Sequence, residues 1–155
     1  MRTRRSKRIA RLIVPLMVLA LILGCARHGY KLYPGAVRPA SELAKLKFGT
    51  RGPHAIEIDG LRVTRADYQF VELTPGRHEI SWRPGLGTSW WETHYDREEL
   101  SAVVAVLLMA GEEYSVHCDF EYAPAFLFWG GEPERTYLWI EDDRNGAVVG
   151  GEKKP

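Results

Sequence analysis

Short apolar runs of period two, cut every few residues by turn-forming pairs, fill the chain from residue 53 onward. In RHEISW, His78, Ile80 and Trp82 fall on one side and Arg77, Glu79 and Ser81 on the other, the pattern of a strand buried on one face. In AIEIDGLRV, Ile56 and Ile58 alternate with Glu57. Asp59-Gly60 then supplies a two-residue hairpin turn, in which glycine accepts the positive φ a type I′ turn requires. Residues 68–73 form another extended run. Thr74-Pro75-Gly76 follows, with proline presetting φ and glycine suited to the left-handed position of a type II turn. EYSVHCDFEY places Tyr114, Val116, Cys118 and Phe120 on one face; residues 136–142, a turn at Arg144-Asn145-Gly146 and the short run AVV complete the series. Strand after short strand predicts a mainly β fold, a small antiparallel β-sandwich over residues 53–150.

Two stretches read less simply. In LSAVVAVLL, residues 100–108, Asp96 and Glu99 fit a helix capping box, and Leu100, Val103, Val104 and Leu107 fit a helical stripe. Three valines and the turn-like Ala110-Gly111-Glu112 that follows favour a central strand in a hairpin. Upstream, PASELAKL predicts one or two helical turns, capped by Ser41 with Leu43 and Leu46 on one side. Residues 26–39 hold two Gly and two Pro with no apolar period, which predicts an extended tether. Residues 25–52 thus divide into tether and one short N-terminal helix, and residues 151–155 into a loose tail.

Charge separates the N-terminus from the rest. Arg2, Arg4, Arg5, Lys7, Arg8 and Arg11 carry six of the 21 basic charges, and every Asp and Glu lies after Cys25. The remaining 15 basic and 20 acidic residues leave a net charge of −5 with no basic cluster. That excludes a nucleic-acid surface, which needs cations to neutralise phosphate. After the basic run, residues 12–23 are apolar. As a helix they would cover roughly 18 Å, short of the ~30 Å hydrocarbon core, so residues 1–24 read as a secretory signal peptide and not as a membrane span.

The exit of that segment, Ile22-Leu23-Gly24-Cys25, resembles the bacterial lipobox. The resemblance implies cleavage between Gly24 and Cys25, diacylation of the Cys25 thiol and acylation of its new amine. Several acyl chains, each buried methylene contributing ~0.8 kcal/mol, hold a protein on a membrane durably. Ala26 in place of Asp implies transport to the cell outer membrane, with the domain lipid-anchored and facing the periplasm. If Cys25 carries lipid, Cys118 has no cysteine left for an internal disulfide and reads as a buried strand residue.

A second resemblance rests on YPGAVRPASELAKL, IEIDG, ELTPGRHEISW, MAGEEYSV and YLWIEDDRNGAVVGG. This layout is similar to small bacterial lipoproteins carrying a PEGA-like β-sandwich module, although Pro75-Gly76-Arg77-His78 lacks the acidic residue of the PEGA signature itself. The resemblance implies a fold and an address. Members of the group mostly have no assigned catalytic activity, so neither an enzyme nor a cofactor is implied.

No motif in the chain names a reaction. Glu92, His94 and Asp96 lie in a Gly-rich aromatic stretch, where convergence would let them bind a metal or shuttle a proton; solvated loop residues are the simpler reading. His117 and Cys118 should point to opposite faces of a strand, and Glu141-Asp142-Asp143 reads as a wet hairpin end. Aromatic residues stand out more. Trp90 and Trp91 sit in one long connection, and Phe126, Phe128 and Trp129 in another. Tryptophan faces stack on sugar rings or apolar partners, and they also plug the open ends of small sandwiches. The expected function is a non-catalytic binding or structural domain contacting envelope proteins or peptidoglycan, with an accessory subunit of a larger envelope complex as the alternative.

Overall fold

The computed structural model describes residues 29–50, 52–84, 86, 98–123 and 131–155. These form ten strands in two facing sheets. The first sheet runs in the order β1 (Gly29–Lys31), β5 (Phe70–Leu73), β2 (Ala44–Phe48), β8 (Glu113–Tyr122), β9 (Pro133–Asp142) and β10 (Val148–Gly151). The second runs β4 (Leu61–Thr64), β3 (Ala55–Ile58), β6 (Gly76–Trp82) and β7 (Ala102–Leu108). The expected β-sandwich is present, and pairing is antiparallel except for β1 with β5 and β2 with β8. No helix among the described residues is long and apolar enough to cross a membrane.

The core lies between the sheets. Leu46, Val71, Leu73, Val116 and Ile140 enter it from one side; Ile56, Ile58, Val63, Ile80, Trp82, Val106 and Leu108 enter from the other. Burying each such side chain contributes about 1.5–3 kcal/mol. Trp82 meets the ring of Phe120 edge-on across the core, with centroids 5.2 Å apart. β6 buries His78, Ile80 and Trp82, the face its alternation predicts. Of residues 100–108, Leu100 ends a 3-10 turn that begins at Glu98, and residues 102–108 resolve as strand: β7 turns Val104, Val106 and Leu108 inward and leaves Val103 and Leu107 more than 60% exposed. A helical stripe would have buried Val103 and Leu107. Asp59 at φ 51° and Gly60 at φ 79° make the expected β3–β4 turn.

Four expectations are corrected. PASELAKL is not a helix of one or two α-turns. A single 3-10 turn, Ala40–Glu42, follows Pro39 with no side-chain cap, and the chain then enters β2. β2 lies inside the sheet between β5 and β8, so hydrogen bonds on both edges override local helix propensity. Ala44 and Leu46 therefore point inward and Lys45 and Lys47 outward, a period of two. Within the tether expected over residues 26–39, Gly29–Lys31 is a strand and Tyr33 is buried, while residues 26–28 lie outside the described residues. The sandwich thus begins at Gly29 and not at residue 53. Thr74-Pro75-Gly76 forms a corner between the two sheets, with Gly76 at φ 138° opening β6. Finally, residues 152–154 lie along the first sheet: Glu152 N–H donates to Leu138 O, and its carboxylate takes Arg135.

Strand directions divide the sandwich into two ends. Asp59-Gly60, the corner at residues 74–76, the β7–β8 turn at Gly111 and the β9–β10 turn at residues 143–146 share one end, here called the turn end. The start of β1, the ends of β2, β6 and β8, and the starts of β7 and β9 share the other, the leading end.

Candidate functional site

The residues singled out in the sequence, Gly24, Cys25, Trp90, Trp91, Glu92, His94, Asp96, Phe126, Phe128 and Trp129, all lie outside the described residues. The points where their segments attach are described. Residues 87–97 leave after Trp82 and return before β7, whose Ala102 pairs with Trp82. Residues 124–130 leave after Tyr122 and return at Pro133, its partner in the ladder; Ala123 N–H donates to Glu132 O at 2.8 Å across the neck. The N-terminal segment joins at Gly29, opposite Phe70. All three attachments therefore fall on the leading end.

That end carries described aromatic residues of its own. Tyr30 and Tyr68 stack at 4.5 Å, and the Tyr122 ring is 52% exposed. Gly29 lies beneath the Phe70 ring, where a Cβ would come within 2.2 Å, so a larger residue would have to displace the ring. Arg83 pairs with Glu57 at 2.7 Å.

Toward the turn end, the outer face of the first sheet carries an ion-pair network. Glu113 on β8 accepts from Lys45 at 3.0 Å and from Lys47; Lys47 also reaches Asp143 at 3.1 Å. The two lysine hydrogen bonds, that of Lys47 foremost, hold the Glu113 carboxyl below the usual carboxylate range, and Glu113 in turn raises Lys47. Arg144 clamps Asp142 at 2.8 Å and Glu112 at 2.6 Å, lowering the Asp142 carboxyl. Each carboxylate of the 141–143 run thus faces a cation. Among the described residues no group of three His, Cys, Asp or Glu side chains could hold a metal ion. Pairs this exposed contribute at most about 1 kcal/mol each, so the network orients side chains more than it stabilises the fold.

A third cluster crosses β8 and β9. His117 stacks on Trp139 with centroids 5.1 Å apart and planes within 10°, and Glu141 accepts from Trp139 Nε1 at 2.9 Å and from Lys153 at 2.8 Å. The Lys153 hydrogen bond is the main cause lowering the Glu141 carboxyl. Gly49 abuts the His117 imidazole, where a Cβ would come within 2.4 Å. As expected from strand geometry, Cys118 points the other way, into the core. His78 is a satisfied core histidine: Nδ1 meets Asp59 Oδ2 at 2.6 Å and Nε2 meets Thr74 O at 2.7 Å, tying the β3–β4 turn to the corner. The cross-strand pairs Lys47–Glu113 and Lys47–Asp143 join residues 66 and 96 positions apart, so nothing in local sequence announces them.

A cleft of about 130 Å³ opens near the turn end, lined by Leu43, Lys45, Phe70, Glu72 and Glu113 among others. It is smaller than the ~300 Å³ at which small-molecule sites begin. No family model, curated protein or solved structure matches the chain.

Proposed function

We propose that the chain is a bacterial lipoprotein, cut before Cys25 and acylated there, that holds its β-sandwich on the periplasmic face of the outer membrane. In this reading the domain is a non-catalytic binding or structural module in contact with envelope proteins or peptidoglycan. One observation carries the reading: the segment bearing Cys25 and both aromatic segments join the sandwich at the same end. The segments that bear Trp90, Trp91, Phe126, Phe128 and Trp129 are thus rooted on the end where the Cys25 segment joins, and aromatic side chains supply large contact area at low conformational cost.

A separate observation favours the second reading, an accessory subunit of a larger envelope complex. Val103, Leu107 and Met109 form an exposed apolar row on and just after β7. The neighbouring β10 adds exposed Val148 and Val149, and a Cβ at Gly150 would touch Val104 and Val106 of β7. Apolar rows of this kind mark contact surfaces.

Intact mass and membrane fractionation, beside Cys25→Ser, test the address. Cleavage before Cys25, added acyl mass and sedimentation with the outer membrane support it. An uncut, unacylated chain overturns it. Photocrosslinkers at positions 90, 91 and 129, compared with position 107, then tell which surface meets a partner.

A further inference from the structure

We infer that the sandwich stands on the lipid bilayer by its leading end, with Tyr30, Tyr68 and Tyr122 at headgroup level. The inference rests on acylation of Cys25 and assigns lipid, rather than an envelope protein or glycan, to the described residues of that end.

Chain length sets the limit. Only Ala26, Arg27 and His28 separate Cys25 from Gly29, the first residue of β1. Four Cα steps reach at most roughly 14 Å. Acyl chains buried in the hydrocarbon place the Cys25 backbone at the base of the headgroup layer, which is itself about 5–8 Å deep. Gly29 then stays within about 10 Å of the headgroup surface, the spacing of two packed sheets, even with the spacer pulled straight. β1 runs from Gly29 toward the turn end, so the leading end is the part of the fold that the short spacer holds nearest the lipid.

The chemistry of that end suits the interface. Exposed Tyr122 is an amphipathic ring of the kind that collects at headgroup depth, and the Tyr30–Tyr68 stack, half-buried against the core, lies at the same end. Charge at that end is mixed: exposed Arg65 and Lys154 stand among exposed Asp67, Glu121, Glu132 and Glu134, so the posture is set by the short spacer and the aromatic rings. The other posture open to so short a spacer is edge-on, with β4 and its exposed Leu61 against the lipid. Only the end-on posture brings both β1 and the distant start of β9 to the surface.

The test uses the full acylated chain in a Cys118→Ala background, purified from membranes and reconstituted into phosphatidylethanolamine vesicles with a minority of phosphatidylglycerol. A fluorophore is placed by single cysteine substitution at exposed positions: Gln69→Cys and Glu134→Cys on opposite sides of the leading end, Leu61→Cys on the β4 edge and Asn145→Cys at the turn end. Quenching by nitroxide-headgroup lipid should be several-fold stronger at 69 and 134 than at 61 and 145. A Gly/Ser spacer of roughly twelve residues inserted after Arg27 should abolish the difference, because it lets the domain drift away from the surface. Quenching at 61 without 134 would mean an edge-on domain and overturn the inference. So would equally weak quenching at all four positions in protein whose intact mass carries the acyl chains, or strong quenching at 134 lost when an envelope protein replaces the lipid there. A mass without acyl chains is a different failure, since it removes the anchor and the proposed address with it.

Discussion

The two ends of the sandwich are built differently. At the turn end every connection except residues 32–43, between β1 and β2, is short, and specific bonds hold them: Asp59 bridges to His78 and to the Glu79 N–H, Gly111 N–H meets Leu43 O, and Arg144 clamps Asp142. At the leading end two of the connections are long, and the described residues near them include the aromatic Trp82, Phe120, Tyr122 and the Tyr30–Tyr68 stack. Short turns limit what a chain can touch, while long connections rooted on a rigid sheet can carry contact residues. On the proposed function, one end closes the fold and the other is the end offered for contact, with a shared core between them.

The strongest way to break that division is to remove core at the leading end. Trp82→Ala deletes the largest fully buried side chain, against which Phe120 packs, and should cost about 3–5 kcal/mol in urea unfolding. A loss under about 1 kcal/mol would mean that the leading end is not part of the cooperative core. Next in size is Gly151→Ala. Gly151 has φ 79°, and a Cβ there would lie 2.0 Å from Leu138 O, so the end of β10 must shift at a cost of about 1–3 kcal/mol. The same assay checks it, with Gly146→Ala as the comparison: Gly146 also has positive φ but open space around its Cβ, so it should cost less.

How much of this was legible depends on where each interaction is encoded. β6 was readable because its burial alternates within seven residues, and the β3–β4 turn because Asp59-Gly60 carries its own backbone requirement. β2 was not, since Leu43 and Leu46 satisfy a helical spacing and only pairing with β5 and β8 makes Ala44–Phe48 a strand. β1 was harder still. Three residues, Gly29–Lys31, become sheet only by lying parallel to β5, and they read locally as tether. The His117–Trp139 stack and the Lys47–Glu113 pair depend on strand register, which no spacing in the sequence discloses. Where the candidate residues attach was likewise hidden, because it follows from strand directions.

The turn end can be probed through its charges. Glu113, Glu141 and Asp142 all have carboxyls lowered by cation partners, so between their folded and unfolded values the unfolded chain binds more protons. Their stabilisation is therefore fully present at neutral pH and is lost as pH falls through the range below about 4. The urea midpoint should drop from pH 7 to pH 3, and Glu113→Gln should shrink that drop by no more than about 0.5 kcal/mol, because the pair is half exposed. A midpoint that rose on acidification would show that these pairs do not favour the folded state.

The smallest effect on stability is expected on the exposed row of β7, where it separates folding from contact. Leu107 is 63% exposed and opposite Arg77 in the ladder, so Leu107→Glu should change unfolding free energy by no more than about 0.5 kcal/mol. If this row docks against a partner subunit, the same substitution buries an uncompensated carboxylate in the interface. The complex recovered by crosslinking should then fall sharply while the melting curve stays put. If crosslinking through position 107 is unaffected and that through position 90 is lost on Trp90→Ala, contact belongs to the leading end and the row on β7 is ordinary exposed surface. The comparison between the two ends is then the whole account of where this domain meets its surroundings.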